Sequence, residues 1–391
     1  MPWQEASVMD QRREFVRLAM QEGANRRELC RRFGISPQTG YKWLDRFAAG
    51  DEELADRSRR PHSSPGRTEG ETEALVLVVR DTHPAWGARK IVRYLKRAGE
   101  DAVPSTTAHR ILARYGRIDR STPPGGKAYQ RFEKAAPNLL WQMDFKGWVM
   151  LASGSRCHPL TMVDDHSRYA LCLAACADQQ STTVQGHLDA TFRQYGLPDA
   201  IFVDNGSPWG DASGARWTRL GVWLLKTGVE VLHSRPYHPQ SRGKNERFHR
   251  TLNAEVFKLH RFRDFAEVQR AFDRWRTIYN LERPHEALGQ QVPADRYRAS
   301  LRSMPDRLPE VEYDEHEIVR TVSTTKDYVS FKNRLWKVPQ AFRGERVAIR
   351  ARGPDGHYGI FFGAREIATL DLTKSEGVNH VPERVSAMSR Y

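Results

Sequence analysis

Apolar residues recur at helical spacing through most of the first 118 positions. Leu29, Cys30 and Phe33 share one face, and Gly34 interrupts it. Ser36 and Pro37 then read as the cap and first residue of a further helix, whose apolar face is Tyr41, Leu44 and Phe47. A helix, a glycine turn and a second helix with basic flanks make a helix-turn-helix pattern, although an ordinary helical hairpin shares this periodicity. A similar unit follows, with Thr72 to Arg80 helical, Ile91, Tyr94 and Leu95 on one face, and Ile111, Leu112 and Tyr115 inside a last helix. The pattern therefore predicts all-α helix-turn-helix modules at 1–54 and 71–118. Polar, Pro- and Gly-rich linkers are expected at 55–70 and 119–137.

Near residue 138 the period changes. LLWQMDFKGWVML, CHPLTMVDDHS and RYALCLAAC read as strands, followed by a helix over 182–195 and a short strand, DAIFVDNGS. A helix over 214–227, the strand VEVLHS and helices near 241–259 and 264–280 complete a mixed α/β unit at 138–300. Short strands return over 318–372, which is the pattern of a small β-barrel and a candidate further DNA contact. Residues 373–391 read as a disordered tail.

Charge narrows the partners. The 391 residues carry 62 Lys plus Arg against 48 Asp plus Glu, a net +14, and the isoelectric point is near 9.7. Such a surplus points to a polyanion, with nucleic acid ahead of a membrane surface. No run approaches the ~20 apolar residues of a membrane span, and the first residues lack an apolar signal core. The 4 cysteines form no CxxC pair, so neither a disulfide framework nor a zinc ribbon is expected. Cys172 and Cys176 are expected on one strand face as small hydrophobes. A reducing cytoplasm fits, and a DNA-binding chain there is expected to be nucleoid-associated.

Strand interiors disfavour Asp, yet Asp144 lies within WQMDFKGW and Asp204 ends AIFVDNGS. Glu246 begins the helix after PYHPQSRGKN. Three carboxylates from separate elements suit hard divalent cations, which serve phosphoryl transfer in pairs. Strand-end and turn roles for the two Asp, with a solvated Glu, are the alternative. Arg235, His238, Lys244, Arg247 and Arg250 crowd around Glu246 and are candidate DNA contacts, as are Gln38, Thr39, Tyr41 and Lys42 in the first module. Arg57, Arg59, Arg60 and Arg67 in the linker either track phosphates or belong to a solvated hinge.

Taken together, WQMDF, VDDHSRY, FVDNGS, HPQSRGKNERFHRTL and YNLERPHEALGQQVPADRY resemble the integrase-type transposases of bacterial insertion sequences, within the retroviral-integrase-like recombinases. The resemblance covers roughly residues 10–300 and implies a ribonuclease-H-like catalytic core. It further implies Asp144, Asp204 and Glu246 as the catalytic and metal-binding acids and two Mg²⁺ or Mn²⁺ ions as cofactor. The implied reaction is hydrolysis at the element's ends, then attack of the freed 3′-hydroxyl on target DNA, without a covalent intermediate. Double-stranded DNA and a second copy of the chain are the implied partners. No GxxxxGKS loop suggests a nucleotide cofactor.

The pattern departs from the family in two places. The stretch between Asp204 and Glu246 is longer than in the best-known integrases, with SPWGDASGARW as the extension and Asp211 a stray acid; the His/Cys zinc module is also missing. Asp164 and Asp165 are expected to shape a β-turn, His233 to contact DNA beside His238, and Trp141, Trp148 and Trp275 to be core. Phe248, Leu252, Val256 and Leu259 mark the buried stripe of the Glu246 helix. Glu255, half a turn out of phase with Glu246, is expected to be a solvated charge. Two other functions remain: a catalytically silent DNA-binding regulator derived from a transposase, and a nuclease for RNA–DNA hybrids. The second is disfavoured because the A-form major groove excludes a recognition helix.

Overall fold

The computed structural model describes residues 7–57, 68–118, 133–210, 217–233 and 243–374. Arg59, Arg60, Arg67, Asp211, Arg235, His238, most of both linkers and nearly all of the tail lie outside the described residues. The chain divides into two units, residues 1–68 and 69–391.

The first unit is three helices, α1 (Val8–Ala19), α2 (Arg26–Arg32) and α3 (Pro37–Ala48). Each starts on a side-chain cap: Ser7, Asn25 and Ser36 accept from the backbone N–H of Asp10, Glu28 and Thr39. Phe15, Val16, Ala19, Cys30, Trp43, Leu44 and Leu54 form the core. Gly40 lets the helices touch, since a Cβ there would lie 2.5 Å from Cys30 Sγ and 2.9 Å from Phe15 Cζ. The expected face of α3 is corrected by this contact. Gly40, Trp43 and Leu44 point inward, while Tyr41 is 45% exposed and Phe47 also faces solvent.

The second unit opens with α4 (Gly70–Thr82), α5 (Ala88–Arg97) and α6 (Ser105–Arg114). Val76, Trp86, Ile91, Leu95, Ala108, Ile111 and Leu112 close its helical core. Tyr115, expected inside, is exposed; its hydroxyl donates to buried Glu73, 3.0 Å away, which also pairs with Arg114. Basic α5 is anchored to the far end of the following domain, where Arg97 pairs with Asp295 at 2.8 Å and Arg89 with Glu286 at 3.1 Å.

That domain is built on β1 (Trp141–Phe145), β2 (Val149–Met150), β3 (Arg156–Asp164), β4 (Ala170–Cys176), β5 (Ala200–Val203) and β6 (Glu230–His233). The long β3 carries β4 on one side and β1 on the other, and the order runs on from β1 to β5 and β6. β4, β3 and β1 are antiparallel, while β5 and β6 are parallel to β1. This is the ribonuclease-H-like arrangement that the resemblance implied. Helices α7 (Ser181–Tyr195) and α8 (Arg219–Lys226) cover one face, packing Leu188, Phe192, Leu220 and Leu224 on Trp141, Met143 and Met162. Cys172 and Cys176 share that face, as their spacing predicted. The other face is covered by α9 (Gly243–Leu252), continued by a π-helical turn (Asn253–Phe257), and by α10 (Phe265–Leu281). Trp141 and Trp275 are core, but Trp148 is 51% exposed, with the Arg156 guanidinium 4.7 Å above its ring. It precedes a strand of two residues that is too short to bring a covering element with it.

The C-terminal strands are β7 (Ile318–Thr321), β8 (Tyr328–Phe331), β9 (Arg334–Lys337), β10 (Arg346–Ala351), β11 (His357–Phe362) and β12 (Arg365–Asp371). They are β-rich as expected, but pair as a four-stranded sheet, β12-β11-β10-β7, and a separate hairpin, β8-β9. Among the described residues this pairing does not close a barrel. One core around Trp336, Phe342, Ile349 and Ile360 serves both. Helix α8 joins it to the preceding domain, since Val222 and Leu225 enter this core while Leu220 and Leu224 enter the other.

Candidate active site

Two carboxylates follow the pairing of β1 with β5. In the parallel pair of β1 and β5, Trp141 lies opposite Ile201 and Gln142 opposite Phe202. Asp144 lies two residues beyond Gln142 in β1, and Asp204, just past the end of β5, lies two residues beyond Phe202. Side chains alternate between faces. Trp141, Met143, Ile201 and Val203 belong to the core under α7 and α8. Alternation therefore turns Asp144 to the opposite face, where α9 lies. Asp144 and Asp204 are both half-buried. Gly206 N donates to Asp204 Oδ1 at 3.1 Å, and His233 Nδ1 donates to the Asp204 carbonyl at 3.0 Å. His233, expected on DNA, is thus a strut between β6 and the end of β5.

Helix α9 carries Glu246 on its exposed first turn. One turn later His249 shares that side, at i+3. Its Nε2 is 2.8 Å from Thr161 Oγ1, and the same hydroxyl donates to the Asp144 carbonyl at 2.9 Å. Glu246 therefore sits one turn from a point two hydrogen bonds removed from Asp144. Among the described residues no three His, Cys, Asp or Glu side chains are close enough to hold a metal ion. The three acids, one in β1, one just past β5 and one at the start of α9, are all oxygen donors. That donor set fits Mg²⁺ or Mn²⁺ rather than a softer ion.

The basic candidates differ in placement. Arg247 and Arg250 are exposed on α9. Lys244 is largely buried and forms an ion pair with Asp165; burial nonetheless pushes its pKa down to about 8. Asp165 also accepts from Gln142 Nε2 at 2.7 Å and Lys134 N at 2.9 Å. Asp164 takes Ser167 N at 2.7 Å, Ser167 Oγ at 2.6 Å and Asn138 N at 2.8 Å. The VDDHSR acids thus close the β3–β4 turn and also hold the segment that enters β1. In the first unit Gln38, Tyr41 and Lys42 are exposed on α3, and Thr39 is half-buried against Ser36. Arg57 is exposed, with Asp51 3.4 Å away.

Glu255 corrects an expectation. Its carboxylate is buried, accepting from Trp275 Nε1 at 2.9 Å and pairing with Arg283 at 2.9 Å. Ideal helical phase placed it outside, but the π turn shifts it toward α10. The same shift leaves Leu259 45% exposed, while Phe248, Leu252 and Val256 are buried as expected. Thr161 went unnoticed in the sequence because a Thr in a β-run carries no signal of its own. It becomes visible only when β3 lies against β1.

The sequence is similar to several known families. Models of the integrase core domain match residues 134–239 and 227–293. A helix-turn-helix domain model matches 11–62 and a homeodomain-like model 39–112. The IS481 family transposase C-terminal domain matches 317–377. A 39.2 kDa protein of insertion element IS476 from Xanthomonas euvesicatoria is 25% identical over 237 residues, 59% of this chain and 65% of that protein. A 31.7 kDa protein of insertion element IS407 from Burkholderia multivorans is 29% identical over 173 residues, 44% of this chain and 59% of that protein. The chain thus spans less than two thirds of either relative. Among solved structures, a simian T-cell lymphotropic virus intasome in complex with PP2A regulatory subunit B56 gamma is 15% identical. It covers 74% of this chain and 97% of its own, with a TM-score of 0.37. The HTLV-2 integrase catalytic core domain in complex with magnesium is also 15% identical, covering 42% and 99%, with a TM-score of 0.33.

Proposed function

We propose, for a chain that belongs to the integrase-type transposases of insertion elements, that it binds the ends of a mobile DNA element, cleaves them by metal-dependent hydrolysis and joins the 3′-hydroxyl ends to target DNA. The observation that carries this reading is the parallel pairing of β1 and β5 two residues ahead of Asp144 and Asp204, with the Glu246 helix tied to the Asp144 carbonyl through His249 and Thr161. Asp144, Asp204 and Glu246 would hold two Mg²⁺ or Mn²⁺ ions. Bound there, the ions supply charge neutralisation at the reacting phosphate and activation of the attacking oxygen. The protein's part is to fix the acids on rigid strands and to bring DNA to them. Arg247 and Arg250, exposed beside Glu246, would receive phosphates. Lys244, held by Asp165, would set the start of α9 and meet the backbone only at its edge. Gln38, Tyr41 and Lys42, with Thr39 at their helix start, would read base edges. Arg57, Arg59 and Arg60 would follow the phosphate backbone, and Arg235 and His238 would contact DNA on the way to Glu246. Pairing two ends calls for at least a dimer on DNA.

The test incubates the protein with its own element's ends and Mg²⁺ and maps the products. Cleavage and joining should need the metal, stop with EDTA, and vanish in Glu246→Gln while end binding persists. Specific end binding without any cleavage by the wild type would instead identify a silent regulator.

A further inference from the structure

Thr161 is fully buried, yet its hydroxyl serves two elements: the Asp144 carbonyl of β1 at 2.9 Å and His249 Nε2 of α9 at 2.8 Å. A hydroxyl has one proton, and a carbonyl can only accept. Both bonds hold together only if Thr161 donates to Asp144 and the imidazole donates to Thr161 from Nε2–H. The pair therefore has a direction, His249 to Thr161 to Asp144, and it fixes the imidazole tautomer. Beside it the helix–sheet interface is apolar, with Phe248 and Leu252 packed in one cluster with Val163 and Leu173, contacts that carry no direction. Apolar packing tolerates small slides and rotations, whereas two hydrogen bonds through one buried oxygen do not.

We propose that His249 and Thr161 are positioning residues, a brace that sets the rotation and height of α9 and hence the distance of Glu246 from Asp144. Glu246 lies one turn before His249 on the same side of the helix, so a rotation of α9 moves both together. Small displacements of a ligand carboxylate weaken a divalent site that requires near-fixed oxygen positions. The brace touches neither DNA nor metal and acts through Glu246. Protonation of His249 would leave Nε2–H in place, so the brace does not depend on pH in the neutral range. This inference rests on the catalytic reading of Asp144 and Glu246.

The test uses the full chain without DNA and measures Mn²⁺ binding by electron paramagnetic resonance, with thermal unfolding and strand joining in parallel. His249→Leu and Thr161→Val should each weaken Mn²⁺ binding about tenfold, and the double variant no further, because each removes the same brace. His249→Gln, whose amide N–H reaches the same hydroxyl, and Thr161→Ser should stay within about twofold of wild type. Unchanged Mn²⁺ affinity in Thr161→Val, or additive losses of about a hundredfold in the double variant, would overturn the brace. If His249→Leu does not fold, the contrast between Thr161→Val and Thr161→Ser decides alone. Glu246→Gln is the separate control. If it binds Mn²⁺ like wild type, the catalytic reading falls and the brace with it. If it loses binding while the brace variants do not, only the brace falls.

Discussion

Gln142 pairs with Phe202 across the parallel strands β1 and β5, so Asp144 and Asp204 each follow that pair by two residues. A cation held by these carboxylates would stabilise the fold by linkage. Mg²⁺ at a hundred times its dissociation constant should add about 2.7 kcal/mol to wild-type stability. Asp204→Asn keeps an oxygen for the Gly206 N–H but loses the charge that would attract a cation. Its melting temperature should not move with Mg²⁺. A Mg²⁺ shift of wild-type size in this variant would exclude Asp204 as a ligand.

Glu255 and Arg283 form a pair in which both side chains are nearly inaccessible. Removing one charge strands the other in the interior, at a cost of about 3–5 kcal/mol. Glu255→Gln should lower the unfolding free energy by that order, measured by urea denaturation, and reduce activity through the folded fraction alone. A melt matching wild type would mean the carboxylate is solvated after all.

Gly40→Ala should destabilise the first unit. The new methyl meets Cys30 Sγ at 2.5 Å and Phe15 Cζ at 2.9 Å, and overpacking of this kind costs about 1–3 kcal/mol. Binding to the element's ends should weaken in parallel, and adding Cys30→Ala should restore part of both. Calorimetry and a gel-shift titration check it; a neutral Gly40→Ala contradicts the close approach of α3 to α1 and α2.

Acid should destabilise the second unit before its carboxylates titrate fully. Burial, with Lys146 nearby, pushes the His249 pKa down to about 4, and burial holds His285 well below its ordinary value, with Arg283 adding to it. The unfolded chain protonates both near pH 6.5. Between about pH 6.5 and 4 the unfolded state binds more protons, so stability is full above 6.5 and falls as pH drops. His249 alone would contribute up to about 3 kcal/mol, at ~1.4 kcal/mol per pH unit. Urea midpoints across this range should flatten in His249→Gln. An equal slope in the variant would show that His249 titrates normally.

The sequence by itself determined the local elements and the chemistry they carry. Ser36 and Pro37 start α3, Gly34 ends the turn before it, and the two Asp in apolar strands with Glu246 after PYHPQSRGKN already mark the acids. Caps, turn glycines and misplaced charges act within a few residues, so they are legible without coordinates. The tertiary structure decided what depends on partners distant in sequence. Gly40 rather than Tyr41 faces inward because Cys30 and Phe15 stand there. The C-terminal strands pair as a sheet and a hairpin because pairing is a choice among edges, which alternation alone does not rank. Glu255 turns inward because one π turn breaks the hundred-degree phase from which its exposure was inferred. Thr161 acquires its place only when β3 lies against β1 and α9 crosses above, since one buried hydroxyl becomes a joint between elements only after all three have packed.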